Sequence, residues 1–269
     1  MKIKKITAKN PGLTTYQGTN TYIIGDKNLI IIDPGPYIET HLANIINYIA
    51  DRKVDFIIFT HHHQDHVGLL NILQEATNSK ILIGEKQKKF IKDIGINIRE
   101  NIIFFKNQIA HKSLDIIPYH TPGHASDHYC FQLPNKAIFT GDHIMGWSTT
   151  MIRHPDGNME KYIKSIKKIR DCCNEKLLPG HGEEVLDGVG RCDFLIRHRN
   201  IRREQIINAL KNSELNLEQI TNYVYNKINP ALKKYAKYNV ESSIVELINN
   251  KIIIERGIKK PVYRLVGKK

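Results

Sequence analysis

The chain is 269 residues long, with 40 Lys+Arg against 27 Asp+Glu and a formal net charge of +13. Its 41% hydrophobic and 25% charged content exclude a disordered, collagen-like or coiled-coil protein, and the length is enough to bury a sizeable core. No run of 18 or more apolar residues occurs, which excludes a spanning helix. The basic residues 1–11 lead into no apolar segment or cleavage site, so a cytoplasmic protein is expected.

The first 140 residues read as short β-branched strands broken by turn residues. Runs at 21–24 and 29–32 flank Gly25-Asp26-Lys27 and predict a hairpin, and the second run stops at Asp33-Pro34-Gly35. Residues 41–50 carry Leu42, Ile45, Ile46 and Ile49 at helical spacing. A buried-type strand at 56–59 runs into Thr60-His61-His62-His63-Gln64-Asp65-His66, followed by a helix at 67–75 and a strand at 81–83. Further strands are expected at 102–105, 114–119, 128–133 and 136–139. A helix at 159–170 then carries Tyr162, Ile163, Ile166 and Ile169 on one face, before a short strand at 177–178. Strands interleaved with helices point to a layered α/β (α+β) architecture.

The character changes near Gly188-Val189-Gly190. Residues 193–211 read as one basic helix with Arg197, His198, Arg199, Arg202 and Arg203 clustered. Helices follow at 216–226, 231–238 and 240–249, the last two joined at Asn239, and then strands at 251–256 and 261–266 around Gly257. Helices followed by a β-hairpin match a winged-helix pattern. The predicted division is a catalytic unit at 1–190, a connecting basic helix at 191–211 and a winged-helix-like unit at 212–269. Residues 191–269 hold 17 Lys+Arg against 7 Asp+Glu, so the surplus charge belongs mostly to that part. Ile, Lys and Asn are all abundant, and Lys used as surface filler accounts for some of it. Cys130, Cys172, Cys173 and Cys192 show no metal-ligand spacing and read as reduced thiols.

Histidine carries the chemical signal. His61, His63, Asp65 and His66 crowd one loop after a strand. Alternate positions there can converge, so His61 and His63 can share a metal while Asp65 and His66 reach a second. Imidazole with carboxylate suits Zn²⁺, with Mn²⁺ or Fe²⁺ as other candidates. His124, Asp142 and His181 each follow a glycine at the end of an apolar strand. One such histidine is more often a packed imidazole than a ligand; the seven positions together read as a metal site.

This pattern resembles the metallo-β-lactamase superfamily, whose HxHxDH motif is met by His61, His63, Asp65 and His66. The resemblance implies that His61, His63 and His124 hold one metal, that Asp65, His66 and His181 hold another, and that Asp142 bridges them. It also implies an αββα sandwich. Asn10-Pro11, Gly18-Thr19-Asn20-Thr21-Tyr22, Asp33-Pro34-Gly35, Thr149-Thr150 and His198-Arg199 with Arg203-Glu204-Gln205-Ile206 further resemble the β-lactamase-like protein 2 family. That family ends in a small winged-helix-like domain, and its animal members are described as endoribonucleases preferring single strands.

The expected reaction is hydrolysis by a metal-bridging hydroxide. Asp65 is a candidate to orient it, and His128 either donates to a leaving group or supports a ligand. Thr149, Thr150, Arg199 and Arg203 are the candidate substrate-binding residues, with Asp33 expected beneath the metals. Two substrate classes remain open. Single-stranded RNA or another nucleic acid suits the basic terminal segment, with tyrosines there as stacking faces. A small ester, thioester or lactone is the alternative, as in glyoxalase II-like or lactonase-like enzymes. A non-catalytic nucleic-acid-binding protein with a structural metal fits the complete ligand set poorly.

Overall fold

The computed structural model describes residues 2–95, 101–111, 114–172, 176–258 and 261–267; Cys173 lies outside the described residues. In chain order the elements are β1 (Ile3–Thr7), β2 (Asn20–Ile24), β3 (Asn28–Ile32), α1 (Glu39–Ile49), β4 (Lys53–Ile58), α2 (Gln64–Val67), α3 (Leu70–Thr77), β5 (Lys80–Gly84), β6 (Ile102–Phe105), β7 (Ile109–His111) and β8 (Leu114–His120). They continue with β9 (Tyr129–Gln132), β10 (Ile138–Gly141), α4 (Met159–Cys172), β11 (Leu177–Pro179), α5 (Gly188–Ala209), β12 (Leu215–Asn216), α6 (Leu217–Val224), α7 (Lys233–Asn249), β13 (Ile253–Arg256) and β14 (Val262–Leu265).

Strand alternation builds the layers. Along β3, Leu29 and Ile31 face one apolar cluster while Ile30 and Ile32 face another, as period-2 side-chain placement requires. The first cluster joins the six-stranded sheet β1-β2-β3-β4-β5-β6 to α1 and α3 through Ile45, Ile49, Leu70 and Leu73. The second lies between that sheet and the five-stranded sheet β11-β10-β9-β8-β7, where Tyr22, Ile58 and Leu82 meet Phe131, Phe139 and Leu178. A third covers the outer face of the second sheet, packing Cys130, Ile138 and Leu177 against Tyr162, Ile166 and Ile169 of α4 and Leu195 of α5. The order helix, sheet, sheet, helix is the expected αββα sandwich.

A fourth cluster stands apart. Ile206 and Leu210 at the end of α5 pack with Ile220, Val224, Val240, Ile244, Leu247, Ile253 and Tyr263. Here α6 and α7 cover a three-stranded antiparallel sheet of order β12-β14-β13. Thus α5 serves two cores, its first half on α4 and its end among the terminal elements. Among the described residues no helix is long and apolar enough to cross a membrane.

The structure differs from the sequence expectation in four places. The strands β1, β7 and β12 had no counterpart among the expected elements. The helix expected at 67–75 is two helices that meet at Gly68 and Leu69, where a Cβ on Gly68 would lie 2.6 Å from the Tyr37 backbone nitrogen and Leu69 N–H reaches the Gly35 carbonyl. The basic helix starts earlier, where the Asp187 side chain caps the Gly190 N–H. The two helices expected around Asn239 are one continuous α7, and Asn239 lies inside it, buried. Its Oδ1 accepts the Ile152 N–H at 2.9 Å, so this side chain ties α7 to the segment after β10 instead of interrupting the helix.

That bond yields a prediction. Asn239→Leu leaves the Ile152 N–H buried without an acceptor and should cost about 1–3 kcal/mol. Urea unfolding should show a lower midpoint at constant slope; an unchanged midpoint would contradict the role assigned to this tie.

Candidate metal centre

All four ligand-bearing loops leave the C-terminal ends of strands. The loop 59–66 follows β4, His124 follows β8, Asp142 follows β10 and His181 follows β11. Strand β2 pins the ends of the second sheet to the first: Asn20 N–H donates to the Gly180 carbonyl at 2.7 Å, and Tyr22 Oη–H donates to the Pro179 carbonyl at 2.9 Å. Two glycines permit the close approach. Gly141 has φ +46°, and a Cβ there would lie 2.5 Å from Thr60 Oγ1. A Cβ on Gly180 would lie 2.7 Å from His66 Cε1 and 2.8 Å from Asp142 Oδ1, inside the cluster itself.

The donors converge as the sequence predicts. His61 Nε2 lies 2.9 Å from His63 Nδ1, which lies 3.0 Å from His124 Nε2. Asp142 faces both halves, with Oδ2 3.6 Å from His124 Nε2 and Oδ1 3.3 Å from His66 Nε2 and 3.1 Å from His181 Nε2. Asp65 Oδ2 sits 3.6 Å from His66 Nε2 and 3.4 Å from His181 Nε2. Three sets of metal-ligand spacing result: His61 with His63 and His124, His61 with His66 and Asp142, and Asp65 with His66 and His181.

The far nitrogens decide which lone pairs face inward. His66 Nδ1 donates to Asp33 Oδ2 at 2.9 Å, His124 Nδ1 to the Met151 carbonyl at 2.8 Å and His181 Nδ1 to the Gly18 carbonyl at 3.0 Å. Asp33 also accepts the Thr60 hydroxyl, which leaves that oxygen to accept from His61 Nδ1 at 3.0 Å. Each of these four rings therefore presents Nε2 to the centre. The Nε2 lone pairs of His61 and His124 both face His63 Nδ1, whose single proton can serve only one of them, and His66 Nε2 and Asp142 Oδ1 are buried without a hydrogen-bond partner. A divalent cation fits this donor set, since it converts facing lone pairs from a repulsion into coordination.

Electrostatics agrees. Burial, reinforced by neighbouring histidines, holds His61 well below the ordinary histidine range and His63 at about 3. Burial also opposes charge on His66 and His181, yet carboxylates outweigh it. Asp65, Asp33 and Asp142 raise His66 well above its usual value, and Asp142 with Asp65 brings His181 to about 9. In the metal-free protein these two rings hold the protons that a metal must displace.

Other expected site residues land elsewhere. His128 is fully buried, stacked on His61 at 5.1 Å, with Nδ1 3.0 Å from Thr121 Oγ1. It backs a ligand and is not placed to meet a leaving group. Thr149 and Thr150 line the cavity over the centre, and the Thr150 hydroxyl donates to the Asp142 carbonyl at 2.8 Å. Arg199 and Arg203 do not line it. Arg199 is buried over the Tyr162 ring and donates to the Thr150 carbonyl, while Arg203 pairs with Glu246 at 3.4 Å.

The cavity is ≈ 220 Å³. Beside the donors its wall includes Leu13, Met145, Trp147 and Met151, closed by Ile228, Leu232 and Tyr235 from the terminal segment. His198 and Asn239 also line it. Sequence reasoning did not find this wall, whose residues carry no motif. A second recess that also touches His63 and His124 is lined by His62, Arg153 and His154.

Proton displacement gives a prediction. Zn²⁺ added near pH 7.5 should release about two protons per chain, from His66 and His181. Calorimetry in buffers of differing ionisation enthalpy measures this. Because protons compete with the metal, affinity should weaken as pH falls; uptake without proton release would contradict the assignment.

Residues 14–181 match the family model described as the metallo-beta-lactamase superfamily. The chain is 31% identical over 258 residues to a beta-lactamase-like protein 2 homolog of Caenorhabditis elegans, covering 93% of this chain and 85% of that protein. It is 30% identical over 217 residues to an atrochrysone carboxyl ACP thioesterase of Aspergillus chevalieri, covering 79% and 67% respectively. Among solved structures, a beta-lactamase domain protein from Burkholderia ambifaria superposes with a TM-score of 0.86 at 15% identity over 98% of this chain and 91% of that one, a likeness of fold. The chain belongs to the metallo-β-lactamase superfamily, whose members are generally hydrolases.

Proposed function

We propose that the protein is a metal-dependent hydrolase of a small ester or thioester with an apolar acyl group. The observation that carries this reading is the cavity above the donors, whose wall of Met145, Trp147, Met151, Ile228 and Leu232 suits an acyl chain. Covering apolar surface there is worth about 25 cal/mol per Å², and the same surface offers nothing to a phosphodiester backbone. The 30%-identical relative named a thioesterase supports the reading.

The donor geometry supports two ions, one at His61, His63 and His124 and one at Asp65, His66 and His181, with Asp142 between them. The nitrogen and oxygen set suits Zn²⁺, and Mn²⁺ or Fe²⁺ less well. When bound, the ions would lower the pKa of water and polarise the scissile carbonyl. Asp65 borders the cavity, which supports a role for it in orienting the attacking water. The apolar wall excludes competing water and orients the acyl group. The water oxygen bonds to the acyl carbon as the acyl C–S or C–O bond breaks, one water proton passes to the leaving sulfur or oxygen, and a carboxylic acid, which ionises, and a thiol or alcohol are released.

Part of the terminal charge is engaged by partners within the chain. Arg191 donates to the Met145 and Ser148 carbonyls, Arg202 to the Val224 carbonyl, and Arg256 pairs with Glu214. A second reading, cleavage of single-stranded RNA, is favoured by Trp147, Tyr225 and Tyr235 in the cavity wall, which are of the kind that stack bases, and by the winged-helix-like pattern of residues 212–269.

Metal-loaded protein should hydrolyse medium-chain acyl thioesters and leave labelled single-stranded RNA intact. Asp142→Ala should lower thioester kcat/KM by about 10³-fold or more. RNA cleavage abolished by the same substitution, with thioesters untouched, would overturn the first reading in favour of the second.

A further inference from the structure

The geometry points to His198 as the hydrogen-bond donor by which this cavity recognises an oxygen acceptor on the acyl group, so that the preferred substrate is an oxygenated acyl ester or thioester. The inference rests on the hydrolase reading above and specifies the substrate class.

His198 lies on α5, and its ring forms part of the cavity wall. Its plane is set by Phe194, one turn earlier, whose ring is stacked at 6.2 Å and 20°. Nδ1 is buried and has no hydrogen-bond partner among the described residues. Burial, then the charges of Arg199, Arg202 and Arg191, hold the ring at about 4, so it is neutral at working pH. A neutral imidazole carries one N–H. At Nδ1 that proton would be a buried donor without an acceptor, facing cationic neighbours. A lone pair there is attracted by the same guanidiniums. The proton therefore sits on Nε2, the ring nitrogen left for a ligand.

Two of the neighbouring polar side chains are already engaged, while Trp147 Nε1 in the same wall is a second buried donor without a partner among the described residues. The Thr150 hydroxyl donates to the Asp142 and His143 carbonyls, and Asn239 Oδ1 accepts from Ile152. A neutral donor set in a largely apolar wall favours a carbonyl or ether oxygen over a methylene at that point. A ring that resists protonation is unsuited to serve as a base, so the role is recognition.

The test uses full-length, metal-loaded protein and N-acetylcysteamine thioesters of octanoate. The saturated chain is compared with mono-keto chains whose oxygen is moved stepwise along the acyl group, and turnover is followed by thiol release. Wild type should prefer at least one keto isomer over the saturated chain by about tenfold or more in kcat/KM. His198→Leu should bring the keto-over-saturated ratio of kcat/KM close to one. His198→Gln, which retains an N–H donor, should keep part of the preference. Equal losses on both substrates in His198→Leu, or no keto preference in wild type, would overturn the inference and leave the hydrolase reading standing. No thioester turnover by wild type would overturn both.

Discussion

The structure is organised around a buried cluster with more inward-facing lone pairs than protons to fill them. His61, His63 and His124 bring ring nitrogens to 2.9–3.0 Å, and Asp142 turns one oxygen to each half of the cluster. Left bare, such an arrangement is unfavourable, because most of its members are buried and the protons available do not satisfy all their lone pairs. It persists because the far sides of four of the five rings are fixed. Asp33 serves two ligands, His66 directly and His61 through the Thr60 hydroxyl, while the Met151 and Gly18 carbonyls serve His124 and His181.

That requirement explains why the terminal segment is more than an appendage. The Met151 carbonyl orients a ligand, so the segment after β10 must be held still. Arg191 grips its Met145 and Ser148 carbonyls, Arg199 grips Thr150, and Asn239 of α7 takes the Ile152 N–H. Two of the α5 arginines, Arg191 and Arg199, thus hold the segment that orients His124. The same packing brings Ile228, Leu232 and Tyr235 over the donors, so one set of contacts serves both the ligand geometry and the substrate wall.

The metal ligands were legible because coordination imposes residue type and spacing together, and a chain keeps that signature without knowledge of its fold. The hairpin of β2 and β3 was legible for a similar reason, through β-branched runs around Gly25-Asp26-Lys27. The strand β1 was not, since Ile3-Lys4-Lys5-Ile6-Thr7 is short and half polar, and its identity comes from pairing with β2. Asn239 looked like a break because asparagine disfavours helix interiors; a tertiary partner for its side chain removes that objection. The roles of Arg199 and Arg203 were misjudged because charge in a sequence does not reveal whether it faces solvent or a carbonyl. The cavity wall was invisible because its residues meet only after the terminal elements fold back.

The central claim is that the convergent donors form a site for two divalent ions. Anomalous diffraction at the zinc edge from crystals of the Zn²⁺-loaded protein tests it most directly. The account predicts two peaks per chain, one enclosed by His61, His63 and His124 and one by Asp65, His66 and His181, with Asp142 reaching both. A single peak at saturating Zn²⁺, or density away from these residues, would contradict it.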